Sequence, residues 1–281
     1  MVFRTTGLSL IIVITVPIAF SLLTGCGGSS LRIVDFSQMP IRTATPEELV
    51  AEVNRDAASL QGIKGKLGMG LQKNAAQGAR RCSGMLIARK RPDSGLYLKG
   101  YKRLIPTFFT LVSDGDRFWF HIPRDDVVYT GPVDFAWSRD DSLELYLNAR
   151  DLFRALFVGR VESSSTWDVK DEGEYYVITV FDSDRVARTI QVEKQGFNVV
   201  HETYYNEGIA QIEIHREKFA DLNGRIYPSS LVLRDLVSGS SVMLDFTAIT
   251  LDPVDVPDEA FEFRIPDDVE VKEIDTEKVQ A

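Results

Sequence analysis

From residue 62 onward apolar side chains recur at every second position. Ile63, Leu67, Met69 and Leu71 alternate with Lys64, Lys66 and Gly68, and Ile190 and Val192 alternate with Thr189, Gln191 and Glu193. Ile212 and Ile214 then alternate with Gln211, Glu213 and His215, and Val242, Leu244, Phe246 and Ala248 with Ser241, Asp245 and Thr247. A period of two belongs to strands with one dry and one wet face. Asp114-Gly115, Glu172-Gly173, Gln195-Gly196, Glu207-Gly208, Asn223-Gly224 and Ser238-Gly239 punctuate the runs as turns. The pattern predicts an antiparallel meander of about eleven strands, near 62–72, 80–90, 95–101, 107–113, 116–122, 126–130, 164–170, 174–181, 185–194, 197–206 and 209–218. Two further runs lie at 225–236 and 240–250.

Two segments change period to 3.6. Thr45-Pro46-Glu47-Glu48 reads as an N-cap, a proline at the first helical position and the glutamate of a capping box. Leu49, Val50, Val53, Ala57 and Leu60 then share one face, which predicts a helix over 46–60 that covers something apolar. A second capping box, Asp141-Ser142-Leu143-Glu144, precedes Leu145, Tyr146, Ala149, Leu152, Phe153, Leu156 and Phe157 at helical spacing, with Gly159 as the stop. This predicts a helix over 142–157.

The amino terminus carries a different signal. Arg4 precedes an apolar run from Gly7 to Leu23, and Leu23-Thr24-Gly25-Cys26 closes it with small residues and a thiol. That is the form of a secretory signal ending in a lipidation site, so residues 1–25 are expected to be removed and Cys26 to carry diacylglycerol and an N-acyl group. Several acyl tails at ~0.8 kcal/mol per buried methylene make a durable anchor. Residues 26–44 read as a flexible tether, 45–272 as one domain and 273–281 as an acidic tail. Gly27 stands where bacterial lipoproteins retained at the inner membrane carry Asp, so the expected location is the outer membrane, facing the periplasm.

Charge narrows the partners. Without residues 1–25 the chain has 31 basic and 41 acidic residues, a balance that argues against nucleic acid and against adhesion to anionic lipid headgroups. Cys82 would be the one remaining thiol, which excludes an intramolecular disulfide and reads as inert packing. His121, His201 and His215 show no helical ligand pair, so no metal site is expected. Gly-x-Ser-x-Gly is absent, Ser238-Gly239-Ser240-Ser241 reads as a hairpin turn, and the doublets Asp125-Asp126, Asp140-Asp141 and Asp267-Asp268 read as solvated loops. No enzyme and no cofactor are implied.

The lipidation signal, the amphipathic first helix, the long meander and the mid-chain helix together resemble the LolA/LolB superfamily of lipoprotein carriers over roughly residues 45–272. Local echoes are Arg91-Pro92 before Leu96-Tyr97-Leu98, Val112-Ser113-Asp114-Gly115 before Phe118-Trp119-Phe120, and Phe261-Glu262-Phe263-Arg264-Ile265-Pro266. The resemblance implies mainly β structure: a single antiparallel sheet curled into an incomplete half-barrel whose concave face is covered by helices and accepts acyl chains. It implies uniformly apolar inward positions, with Leu152, Phe153, Leu156 and Phe157 lining or covering the cavity. It also implies a membrane-delivery loop within 101–109, carried by Leu104 and Ile105. The partners would then be a membrane, lipid or lipoprotein acyl chains and a periplasmic carrier protein. A structural or assembly lipoprotein that docks proteins on the same scaffold is the alternative.

Overall fold

The computed structural model describes residues 31–74, 78–90, 94–103, 105–133 and 148–274. The first strands are β1 (Arg32–Ile33), β2 (Gly62–Gln72), β3 (Arg80–Arg89), β4 (Gly95–Lys102), β5 (Ile105–Ser113), β6 (Arg117–Ile122) and β7 (Val127–Pro132). They are followed by β8 (Thr166–Asp171), β9 (Tyr175–Asp182), β10 (Arg185–Glu193), β11 (Val199–Asn206), β12 (Ile209–Leu222), β13 (Arg225–Asp235), β14 (Ser241–Leu251) and β15 (Glu270–Glu273). All belong to one sheet in the order β15-β7-β6-β5-β4-β3-β2-β14-β13-β12-β11-β10-β9-β8, with β1 on β12. Two meanders, β2–β7 and β8–β14, are thus joined where β14 pairs with β2.

The sheet has 15 strands rather than about eleven, and it is mixed, because β15 runs parallel to β7. Every expected run is a strand. Beyond the expected runs, the sheet contains β1 and β15, two and four residues long, whose burial shows no alternation to read. β8 and β15 end the order without pairing to each other, so the sheet is unclosed among the described residues.

Register explains the core. Leu86 faces Leu98, Leu98 faces Leu111 and Leu111 faces Phe120; on the other side Ile214 faces Leu233, Leu233 faces Val242 and Val242 faces Leu71. Cross-strand partners share a face, so these rows make one continuous inner surface. Gly65 and Gly100 leave room in it: a Cβ would stand 2.8 Å from the Phe246 ring at the first and 2.4 Å from the Phe109 ring at the second.

Both helices lie on this surface. α1 (Pro46–Ser59) has the expected capping box, with Thr45 Oγ1 accepting from the Glu48 amide at 3.3 Å and Glu48 Oε2 from the Thr45 amide at 2.9 Å. Its Leu49, Val50 and Val53 pack with Ile178, Ile190 and Val192 of β9 and β10. α2 (Ala149–Leu156) starts at Asn148, whose side chain accepts from the Arg150 amide at 2.8 Å. The capping box proposed at 141–144 falls outside the described residues. The helix stops at Leu156, ahead of Gly159, because Phe157 is already extended (φ −125°).

Residues 31–44, expected as the second half of a tether, run along the sheet instead. β1 pairs with β12, Phe36 meets Phe219 edge-on at 5.6 Å, and Arg42 lies 4.1 Å from the Phe197 ring.

Candidate functional site

The inner surface divides into two apolar clusters, one under α2 built from β2–β7 and β12–β14, the other under α1 built from β9–β11. Leu152, Leu156 and Phe157 are buried in the first, and Phe153 packs half-buried against it with its ring 4.7 Å from that of Phe157. Cavities flank α2. One of about 280 Å³ is lined by Ala57, Leu60, Leu156, Arg216, Phe219 and Tyr227 among others. Another, of about 190 Å³, includes Leu96, Val133, Ala149 and Phe153. The side chains expected to line an acyl cavity therefore separate two small ones.

Between the clusters the inner row turns ionic, against the expectation of uniformly apolar positions. Arg188, in register with Tyr204, sends Nε to Glu202 Oε1 at 2.7 Å and Nη2 to the same oxygen. Arg216 Nη2 stands 2.5 Å from Glu202 Oε2, and Tyr204 donates to Oε1 at 3.2 Å. Two guanidiniums thus share one carboxylate, all three side chains being buried. Burying ions costs several kcal/mol each unless every group is bonded, and here three of the spare donors find backbone carbonyls, while Arg216 Nη1 is buried without a hydrogen-bond partner. Arg216 Nη2 donates to Arg154 O at 3.0 Å, and Arg188 to Gly159 O at 3.1 Å and Arg160 O at 3.2 Å.

These carbonyls belong to the end of α2 and the loop behind it. A helix leaves its last carbonyls unbonded and partly negative, so cations there are well placed. Tyr227 claims Leu156 O at 2.9 Å, and Asn54 of α1 brackets Val161, accepting from its amide at 2.7 Å and donating to its carbonyl at 3.0 Å. The ionic row is the seat of α2.

Electrostatics follow from this geometry. Burial alone would raise the Glu202 carboxyl, but the Arg216 and Arg188 guanidiniums bring it below its ordinary value. Burial, then the Glu202 charge, pushes the Tyr204 phenol up to about 12. Burial also raises the Asp151 carboxyl, although Arg154 Nη1 lies 2.9 Å away.

No protein-family model and no curated protein sequence matches the chain. Solved structures do. A domain classed as an outer membrane lipoprotein-sorting protein of Vibrio parahaemolyticus superposes with a TM-score of 0.55 at 12% identity, over 76% of this chain and 94% of that one. A LolA superfamily protein of Nitrosomonas europaea gives 0.51 at 14% over 79% and 99%. A DUF1329 family protein of Desulfovibrio piger gives 0.57 at 13% over 76% and 94%.

The fold is LolA-like. Within this LolA-like sheet the segment 101–109, expected as a delivery loop, is largely strand: Tyr101 and Lys102 end β4, Ile105–Phe109 begin β5, and Lys102 pairs with Ile105. Leu104 and Cys26 lie outside the described residues. Among the described residues no helix is long and apolar enough to cross a membrane. Burial raises the Cys82 thiol, which disfavours its nucleophilic form.

The alternation did mark the ionic row. Arg188 falls in phase with Ile190 and Val192, and Arg216 in phase with Ile212 and Ile214, so each arginine sits where an apolar residue is due. A charge on the dry phase of a strand is the readable sign. Its partner Glu202 was not readable, because only the pairing of β11 with β12 brings it to Arg216.

Proposed function

We propose that this protein is a non-enzymatic acceptor for lipid or lipoprotein acyl chains, anchored through acylated Cys26 in the outer membrane and facing the periplasm. The observation that carries the reading is the apolar inner surface of β2–β7 and β12–β14 in an unclosed LolA-like sheet, on which α2 lies as a separate element between two cavities. An acyl chain would take the contacts that Leu152, Leu156 and Phe157 now make, and α2 would give way to it. Burial is the driving force: ~0.8 kcal/mol per methylene gives a 16-carbon chain on the order of 10 kcal/mol before ordering costs. A membrane that buries the same chain at lower ordering cost then acts as the sink.

Native mass spectrometry of protein released from membranes in mild detergent tests this. The expected spectrum shows a mature chain beginning at acylated Cys26 and, in addition, a bound lipid of defined mass. Phe153→Asp should lose that lipid while keeping its β-rich circular dichroism, since a carboxylate at the cavity wall brings water with it. A lipid-free wild-type protein would support the scaffold alternative and overturn the carrier reading.

A further inference from the structure

The outer face of the sheet carries a cluster unrelated to acyl chains. In the pairing of β11 with β12, His201 stands directly opposite His215. Glu213 precedes His215 by two residues, and strand alternation places both on the same face. That face is opposite to the one bearing Glu202 and Ile214, which are themselves register partners. The two imidazoles stack with centroids 4.2 Å apart and planes at 16°. His201 Nε2 lies 3.1 Å from one Glu213 oxygen and His215 Nε2 lies 3.0 Å from the other. The His215 nitrogen meets no hydrogen-bond geometry there and is otherwise unpartnered. One nitrogen from each histidine and one Glu213 oxygen fall within 4.8 Å of one another.

We propose that His201, Glu213 and His215 form a binding site for a divalent transition-metal ion, zinc being the best match. Two imidazoles and one carboxylate are the donor set of open zinc sites, with water completing the tetrahedron. The side chains are 25%, 21% and 30% exposed while His215 Nε2 itself is buried, so an ion and its water reach that nitrogen once the imidazoles turn. Zinc–nitrogen bonds of about 2.0–2.1 Å require the donors to close in on a common centre, and the ion must lie in the plane of each ring. The stack therefore opens by rotation of the two rings as the ion enters. Neutral imidazole is the ligand form. Arg234 Nη1, 3.2 Å from Glu213, holds the carboxylate and is the group an incoming ion would displace. A bound ion would staple β11 to β12 directly behind Glu202.

Calorimetric titration of the tag-free protein with zinc chloride at neutral pH, in a buffer that does not bind zinc, tests the assignment. His121 is then the only histidine outside the cluster. One equivalent should bind, and His201→Ala and His215→Ala should each weaken it at least tenfold, while His121→Ala and Cys82→Ser leave it unchanged. His201→Gln and His215→Gln repeat the test with side chains nearer in volume, and circular dichroism checks the fold of each variant. Absence of saturable binding by the wild type, or an affinity untouched in both folded His201 and His215 variants, would overturn the proposal.

Discussion

α1 sets Leu49, Val50 and Val53 on β9 and β10 and takes Lys90 Nζ on the Ala57 carbonyl of its last turn at 2.6 Å, whereas the last-turn carbonyls of α2 are bonded by Tyr227 and by Arg216, which is itself tied to the buried Glu202 carboxylate. Apolar contacts fail by degrees, each lost methylene costing a share. A shared carboxylate fails at once, because removing Glu202 leaves two guanidiniums facing each other in a dry site. Of two covers on one sheet, only the second therefore depends on a shared buried carboxylate.

The comparison can be broken most directly at its ionic side. Glu202→Gln should destabilise the protein by about 3–5 kcal/mol, as loss of one partner from a buried ion cluster does, read by urea unfolding. A change below 1 kcal/mol would show that the ionic row does not seat α2.

A smaller effect should come from pH. The Glu202 carboxyl titrates below its ordinary 4.5 in the folded protein, so its contribution is complete above that value and drains away as pH falls beneath it. The Tyr204 phenol rises from 10.0 to about 12, so its contribution is complete below pH 10 and is lost between 10 and 12. Two units at ~1.4 kcal/mol each put the alkaline loss at about 2–3 kcal/mol. Tyr204→Phe should flatten the stability profile across that range, and a profile as steep as that of the wild type would locate the alkaline weakness elsewhere.

The smallest effect should lie at α1. Thr45→Ala removes one side of its capping box and should cost about 1 kcal/mol, measured by thermal unfolding. A cost as large as that of Glu202→Gln would erase the distinction between the two helices.

Much of this arrangement was legible in the sequence where its cause is local. The strand runs and the Thr45–Glu48 cap follow from spacing within one segment. α2 was legible as a helix but not in its seat, since Arg188, Glu202 and Arg216 meet only through the registers of β10, β11 and β12. The same limit hid His201 opposite His215, because a search for helical ligand spacing cannot see a cross-strand pair. β1 and β15 left no trace, being too short to alternate.

The joint between β2 and β14 has a consequence in time. Thr247 Oγ1 donates to Lys66 O across 181 residues of chain, so β2 keeps an unpaired edge until almost the whole polypeptide has emerged. Closing so long a span is slow, and an open strand edge in a crowded compartment is a template for association with other chains. That edge is covered only when β14 pairs with β2.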